Sequence, residues 1–178
     1  MDKLEDLLKQ AAVKGSAPVE RWDPPYCGDI GLSITGDGQW HYQGSVIARP
    51  GLVRLFARVL RRDEDGRYYL VTPVEKVDVA IADAPFLAVE MQVTGVAQAQ
   101  ALLFRTNVDD VVKCGADHPL RFVEGDPDHG LKPYLHVRGR LEALVTRALV
   151  YDLVELAAPG PDGALGLWSD GTFFPLPA

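Results

Sequence analysis

Apolar residues recur at helical spacing near the start of the chain. Leu4, Leu7, Leu8, Ala11 and Ala12 fall on one stripe over residues 3–14, and Gly15 interrupts it. This predicts a short N-terminal helix that docks by its stripe, on the body of the protein or on a second subunit. Residues 15–29 carry Pro18, Pro24 and Pro25 and read as extended coil, pinned by Trp22 and Tyr26. Residues 30–35 and 39–43 are short strands around Gly36-Asp37-Gly38, a turn that needs positive φ, and so form a hairpin. Pro50 sits where a helix can begin. Leu52, Val53, Leu55, Phe56, Val59 and Leu60 share one face of it, and Arg54, Arg58, Arg61 and Arg62 the other. Asp63-Glu64-Asp65-Gly66 ends this helix. Strands follow over 67–72, 77–81 and 87–93, the last two separated by the turn Asp83-Ala84-Pro85-Phe86.

From Gly95 the pattern begins again. Residues 101–106 read as a strand and Asn107-Val108-Asp109-Asp110 as a turn. Residues 111–123 read as strand, turn and strand broken at His118-Pro119, and 124–133 as a polar loop. Leu141, Leu144, Val145, Ala148, Leu149, Leu153 and Leu156 are spaced as in a helix over 139–157, the longest expected. A hairpin over 165–169 and 172–176 closes around Asp170-Gly171. A shift of 89 residues lays Arg49 on Arg138, Leu52 on Leu141, Leu55 on Leu144 and Arg58 on Arg147. Asp65-Gly66 with Tyr68-Tyr69 has its counterpart in Asp170-Gly171 with Phe173-Phe174. The fold class expected is therefore α+β. It consists of two similar halves, each a small mixed or antiparallel sheet with one main helix, plus the N-terminal helix. The divisions are 1–19 for the helix and linker, 20–95 for the first half and 96–178 for the second. A crevice between two such halves is a natural place for a ligand.

Composition narrows the partners more than the fold. In 178 residues, 47% are hydrophobic and 24% charged, enough to bury a core without disulfides or metals. The net charge of −7 argues against nucleic acid and against an anionic membrane, which both require a broad positive surface. Cys27 and Cys114 lie far apart and suggest neither a zinc site nor a disulfide framework. The acidic start Met1-Asp2-Lys3-Leu4-Glu5-Asp6 does not resemble a secretion signal, and no apolar run reaches the length of a membrane span. The expectation is a soluble cytoplasmic protein of bacterial type.

Candidate chemistry is sparse. There is no Gly-rich phosphate loop, no GxSxG elbow and no HExxH. His41, His118, His129 and His136 form no ligand pattern. Asp126, Asp128 and Gly130 lack the further acidic residues of a calcium loop. No metal and no cofactor is expected. Cys27, beside Trp22, Tyr26 and Asp29, reads as packed. Glu75 and Lys76 follow Thr72-Pro73-Val74, and adjacent strand residues point to opposite faces, so they should not pair with each other. One of them is free to face a ligand, or both are exposed charges at a strand end. Asn107 belongs to a turn or to a polar cluster offered to a ligand. Tyr134 leads into Arg138, and Arg138 and Arg49 present two guanidinium groups at matched places. Arginine suits bidentate recognition of carboxylate or phosphate, or simply a pair with an acid of its own half. Arg49, Glu75, Lys76, Asn107, Tyr134 and Arg138 are the candidate ligand-binding residues; no catalytic residue is identified.

Five stretches, taken in order, carry a resemblance to a known family. They are Asp23-Pro24-Pro25-Tyr26-Cys27-Gly28-Asp29-Ile30, Leu70-Val71-Thr72-Pro73-Val74-Glu75-Lys76, Asp83-Ala84-Pro85-Phe86, Phe104-Arg105-Thr106-Asn107 and Trp168-Ser169-Asp170-Gly171-Thr172-Phe173-Phe174. Over nearly all of residues 20–176 the chain resembles the proteobacterial family called domain of unknown function 1285. The resemblance implies a two-part α+β structure with repeated motifs and a role in signal transduction. It brings no catalytic activity, substrate or functional residues.

Three readings of function follow. The first is a non-enzymatic sensing or regulatory module that binds a small anionic ligand between its halves. The second is a protein-interaction module that uses the arginine stripe or the N-terminal helix on an acidic partner. The third is an enzyme with an unrecognised site, Lys76 and a nearby carboxylate acting as base and acid.

Overall fold

In the computed structural model, residues 3–12, 17–128 and 130–178 are described. The chain divides into one unit of residues 1–85 with 139–141 and a second of residues 86–138 with 142–178. The end of the helix expected over 3–14, at residues 13 and 14, lies outside the described residues, as does His129.

The first unit starts with helix α1 (Lys3–Ala11), which buries Leu7 and Ala11 and packs beside a second helix. Strands β1 (Leu32–Ile34), β2 (Trp40–Tyr42) and β3 (Ser45–Val46) make an antiparallel meander, as the Asp37-Gly38 turn predicts. Helix α2 (Pro50–Arg58) follows, with Pro50 in its first turn where a missing N–H costs nothing. A second meander runs through β4 (Leu60–Arg62), β5 (Tyr68–Val71) and β6 (Lys76–Ile81). The two meanders join through β1 and β6, which are parallel: Leu32 lies opposite Val79 and Ile34 opposite Ile81. The six strands run in the order β3-β2-β1-β6-β5-β4. Trp40, Phe56, Leu32, Ile34, Leu60 and Leu70 are fully buried, and the Trp40 and Phe56 rings stand 6.2 Å apart.

The helix expected to run on through Arg62 stops at Arg58. Leu60, Arg61 and Arg62 instead lie opposite Leu70, Tyr69 and Tyr68. An apolar spacing of three and four fits either state over so short a run. The Asp63–Gly66 turn, with Gly66 at φ +81°, brings Tyr68 and Tyr69 back as cross-strand partners, and ladder pairing decides it. The expected stripe Arg54, Arg58, Arg61 and Arg62 is thereby dissolved. Arg54 and Arg58 remain on α2, while Arg61 on β4 is buried.

The second unit repeats the plan. Strands β7 (Phe86–Thr94), β8 (Ala101–Thr106) and β9 (Val111–Lys113) form one antiparallel set. Strands β10 (Leu120–Glu124), β11 (Leu131–Arg138) and β12 (Leu141–Val145) supply the other three. A parallel pair again joins them, with Phe86 opposite Ala143 and Ala88 opposite Val145. The order is β10-β11-β12-β7-β8-β9, which read backwards is the order of the first sheet. Helix α3 (Arg147–Glu155) follows, and strands β13 (Ala158–Pro159), β14 (Leu165–Ser169) and β15 (Thr172–Pro175) make a small antiparallel sheet.

Two expectations change here. The long helix over 139–157 is a strand and a shorter helix: Leu141, Ala143 and Val145 are buried and Glu142 and Leu144 only half-buried, a period of two. The expected loop over 124–133 shrinks because β10 runs to Glu124 and β11 begins at Leu131. The repeat exists, but not in the register of 89 residues, which lays α2 upon β12. The equivalent strands are β1 with β7 and β6 with β12, and α2 falls between the third and fourth strands while α3 comes after the sixth.

Candidate functional site

In the first unit α1, the β2–β3 edge and the start of α2 enclose a groove of about 680 Å³. Leu7 and Ala11 of α1 turn into the core, whereas Leu4 and Leu8, half-buried and one turn apart, border the groove. Opposite them lie Tyr42, Val46, Ile47 and Leu52, with Ser45 and Ala48 between. Arg49 caps α2 with extended backbone (φ −85°, ψ 111°), and its carbonyl accepts from the amides of Leu52 and Val53. Its side chain stands exposed at the groove and makes no hydrogen bond or ion pair among the described residues. Lys9 and Glu5 complete the rim. An exposed guanidinium beside an apolar wall suits a singly charged anion with an apolar body.

Polar contacts at both ends fasten α1. Lys3 is ion-paired with Glu75, and the Thr72 hydroxyl donates to Gln10 Oε1 at 2.8 Å. Glu75 is only 6% exposed, its Oε2 is held by Lys3, and its Oε1 is buried with no hydrogen-bond partner among the described residues. Glu75 thus anchors the helix that walls the groove and does not line the groove itself.

Lys76 points the other way, as strand alternation requires. Its Nζ lies 3.1 Å from Asp63 Oδ2 and 4.5 Å above the centre of the Tyr69 ring. Asp63 also accepts from Arg61 Nε at 2.6 Å, and Arg61 Nη1 donates to the carbonyls of Val19 and Trp22 at 2.7 and 2.8 Å. Burial opposes ionisation of Asp63, but the hydrogen bonds and charges of Arg61 and Lys76 outweigh it and hold the carboxyl below its ordinary range. The Tyr69 hydroxyl donates to Asp65 Oδ2 at 2.6 Å. That bond, helped by burial, pushes its pKa up to about 12. Arg67 lies over the rings of both Tyr69 and Tyr26 and pairs with Asp78. A polar recess of about 410 Å³ beside this cluster is lined by Glu20, Asp23, Asp63, Glu64 and Asp65 with Arg61 and Arg140. Every cation in the cluster has an acidic or aromatic partner, so it holds the Asp-Gly hairpin together and leaves Lys76 engaged.

The remaining candidates belong to the second unit and serve its framework. Asn107 Oδ1 accepts from the Leu87 amide at 3.0 Å, and its own amide donates to the Leu87 carbonyl, which closes the turn after β8. Tyr134 is buried beneath Arg121, whose guanidinium is 4.5 Å from the ring centre. Arg138 pairs with Asp110 at 3.3 Å and lies over Phe86. Arg138 thus pairs with an acid of its own unit. Arg49 does not.

The two cysteines differ from each other. Cys27 is exposed, contrary to the packed position expected. Residues 25–28 run alongside the start of β6 before β1 begins, with the Cys27 amide on the Lys76 carbonyl and the Asp78 amide on that of Gly28. Cys114 is buried, and burial pushes its thiol up to about 12. His118 and His136 stack with ring centres 5.4 Å apart. Among the described residues no three His, Cys, Asp or Glu side chains are placed to hold a metal ion, and no helix is long and apolar enough to cross a membrane.

Residues 17–84 match the N-terminal domain, and residues 85–176 the C-terminal domain, of a family described as of unknown function, DUF1285. The chain belongs to the DUF1285 family. A DUF1285 family protein from Silicibacter pomeroyi DSS-3 has a crystal structure similar to this one, with a TM-score of 0.91 at 46% identity, over 99% of this chain and 95% of that one. A second DUF1285 family protein, from Shewanella baltica OS155, aligns over 70% of this chain and 90% of its own, at 28% identity and a TM-score of 0.55. No curated protein matches. The boundary between the two DUF1285 domains falls at the turn before β7, where the two units also divide.

The groove residues Leu4, Leu8, Tyr42, Val46, Ile47 and Leu52 were not singled out from sequence as a site. The one signal was the N-terminal stripe, wider than the two residues that α1 buries.

Proposed function

We propose that this DUF1285 protein is a non-enzymatic sensing or regulatory module, and that it takes a small anionic ligand in the groove of its first unit. The observation that carries this reading is Arg49, an exposed guanidinium without a side-chain partner among the described residues, at a groove with an apolar wall. Its volume of about 680 Å³ falls within the range of small-molecule sites. The reading keeps the anionic ligand expected from sequence but draws it to one half. A role in signal transduction and residence in a bacterial cytoplasm belong to the same proposal. Two free cysteines and relatives from Silicibacter and Shewanella support the latter.

The enzymatic reading has less support, since Lys76 is engaged by Asp63 and the Tyr69 ring. The interaction reading loses its continuous arginine face, because Arg61 is buried on β4.

A thermal-shift screen of the full chain against organic acids, nucleotides, phosphosugars and uncharged analogues tests the proposal, because a ligand of the native state raises its apparent stability. The expected result is a shift from an anion that Arg49→Ala abolishes and that Lys76→Ala and Arg138→Ala retain. A shift lost equally in all three variants, or no shift with any anion, overturns it.

A further inference from the structure

Resting on the reading of the groove just given, we infer that its ligand is a free straight-chain fatty acid, bound with the carboxylate at Arg49 and the acyl chain along α1. The wall of the groove selects the body of the ligand. Leu4 and Leu8 stand one turn apart on α1, so they line a track parallel to the helix axis, and Val46, Ile47 and Leu52 face them. An acyl chain can lie extended in such a track and contact branched side chains along its length. A nucleobase would need a flat aromatic platform, and among the described residues Tyr42 is the only aromatic one of the lining.

Charge selects the head group. Among the described residues of the rim, Arg49 is exposed and its side chain makes no hydrogen bond or ion pair, so one guanidinium charge is offered to the groove. That balances a carboxylate and opposes a di- or triphosphate, in a protein whose overall charge is −7. The guanidinium fork matches a carboxylate's two oxygens, with no second buried polar group required. The wall itself depends on the seating of α1, which Lys3 to Glu75 at one end and Gln10 to Thr72 at the other provide. None of these four side chains is among the described residues that line the groove, so Glu75 is a positioning residue.

The test is calorimetric titration of the intact chain with linear carboxylates of about 4 to 14 carbons and with the 1-alkanols of the same lengths, all below their micelle-forming concentrations. Burial of each methylene should tighten carboxylate binding by about two- to fourfold until the groove is filled. The alkanols should bind at least about tenfold more weakly, the scale of one charge-assisted pair. Arg49→Ala should reduce carboxylate affinity to that of the alkanol and leave alkanol binding unchanged. Leu8→Ser should flatten the dependence on chain length and leave the preference for a charged head. Circular dichroism melts confirm that both variants are folded. Short polar anions that bind through Arg49 with no dependence on chain length would overturn the fatty acid and leave the anion site standing. Carboxylates that bind equally well to Arg49→Ala would overturn both. Sedimentation with anionic phospholipid vesicles, without saturable binding of the monomeric acids, would overturn the free fatty acid in favour of a membrane surface.

Discussion

The two units of this DUF1285 protein share one strand order and use it differently. In each, two three-stranded sets meet through a central parallel pair. In the first unit a helix is inserted between the third and fourth strands, and α1 packs beside it, so that apolar side chains border an open groove. In the second unit the corresponding connection is the short turn of residues 114–119, and the helix follows the sixth strand instead. Its polar candidates are consumed by the framework: Asn107 closes a turn, Arg138 covers Phe86, and Tyr134 lies beneath Arg121. A repeated sheet therefore does not imply a repeated site. What surrounds the sheet decides which side chains remain available.

The sharpest way to break this comparison is in the two cores. Phe56 and Phe104 are both fully buried, one in each unit, and replacement of either by alanine should cost about 3–5 kcal/mol in denaturant unfolding. Only Phe56→Ala should also impair ligand binding, since α2 carries one wall of the groove; equal impairment by Phe104→Ala would remove the functional distinction between the units.

Next come the buried polar groups. In the second unit Ser169 accepts from the Leu102 amide at 2.9 Å and donates to the Cys114 carbonyl at 2.7 Å, so Ser169→Ala strands two buried backbone groups. The expected loss is about 1–3 kcal/mol by chemical denaturation. In the first unit Lys3→Ala should cost about as much, because it leaves Glu75 buried and uncompensated. A second change, Glu75→Leu, should restore most of that stability while still unseating α1. Failure of the double variant to recover would mean that Lys3 acts through something other than Glu75.

The acid limb should be gentler. A carboxyl whose folded pKa lies below its unfolded value adds stability above the unfolded pKa and gives it up as pH falls through the folded one. For Asp63 the contribution is present above about pH 4 and fades below it. Asp63→Asn should lower stability at neutral pH by about 1 kcal/mol and converge with the parent protein in acid, as measured by melts across pH. A pH-independent difference would point to packing instead.

The smallest effect belongs to the exposed charges of the second sheet. Arg105 bridges Glu90 and Asp109, all at the surface, and Arg105→Ala should change stability by about 0.2–1 kcal/mol, less at high salt. A larger, salt-independent loss would show that the outer face of this sheet is not simply solvated.

Most strands were legible because they alternate between short, explicit turns. Asp37-Gly38 and Asp170-Gly171 fixed two hairpins, and His118-Pro119 marked the break between β9 and β10. The errors fell where an apolar run met both periods. Leu60–Arg62 continues the spacing of α2, and Leu141–Val145 that of α3, yet each became a strand because a partner strand stood ready. The apparent repeat of 89 residues came from aligning α2 with one of those misread strands. At the site, Arg49 was visible only through its match with Arg138 in that register of 89 residues, and Glu75 and Lys76 only as charges.

The chain by itself determined the α+β class, the two-part plan and the family, because alternation, turn residues and short motifs are local properties. Only the tertiary structure decided that Glu75 is buried against Lys3, that Lys76 closes on Asp63, and that Leu4 and Leu8 face a groove while Leu7 faces the core. The physical reason is sequence separation. A side chain's partner 13 or 72 residues away leaves no trace in local pattern, and a residue's role follows from that partner.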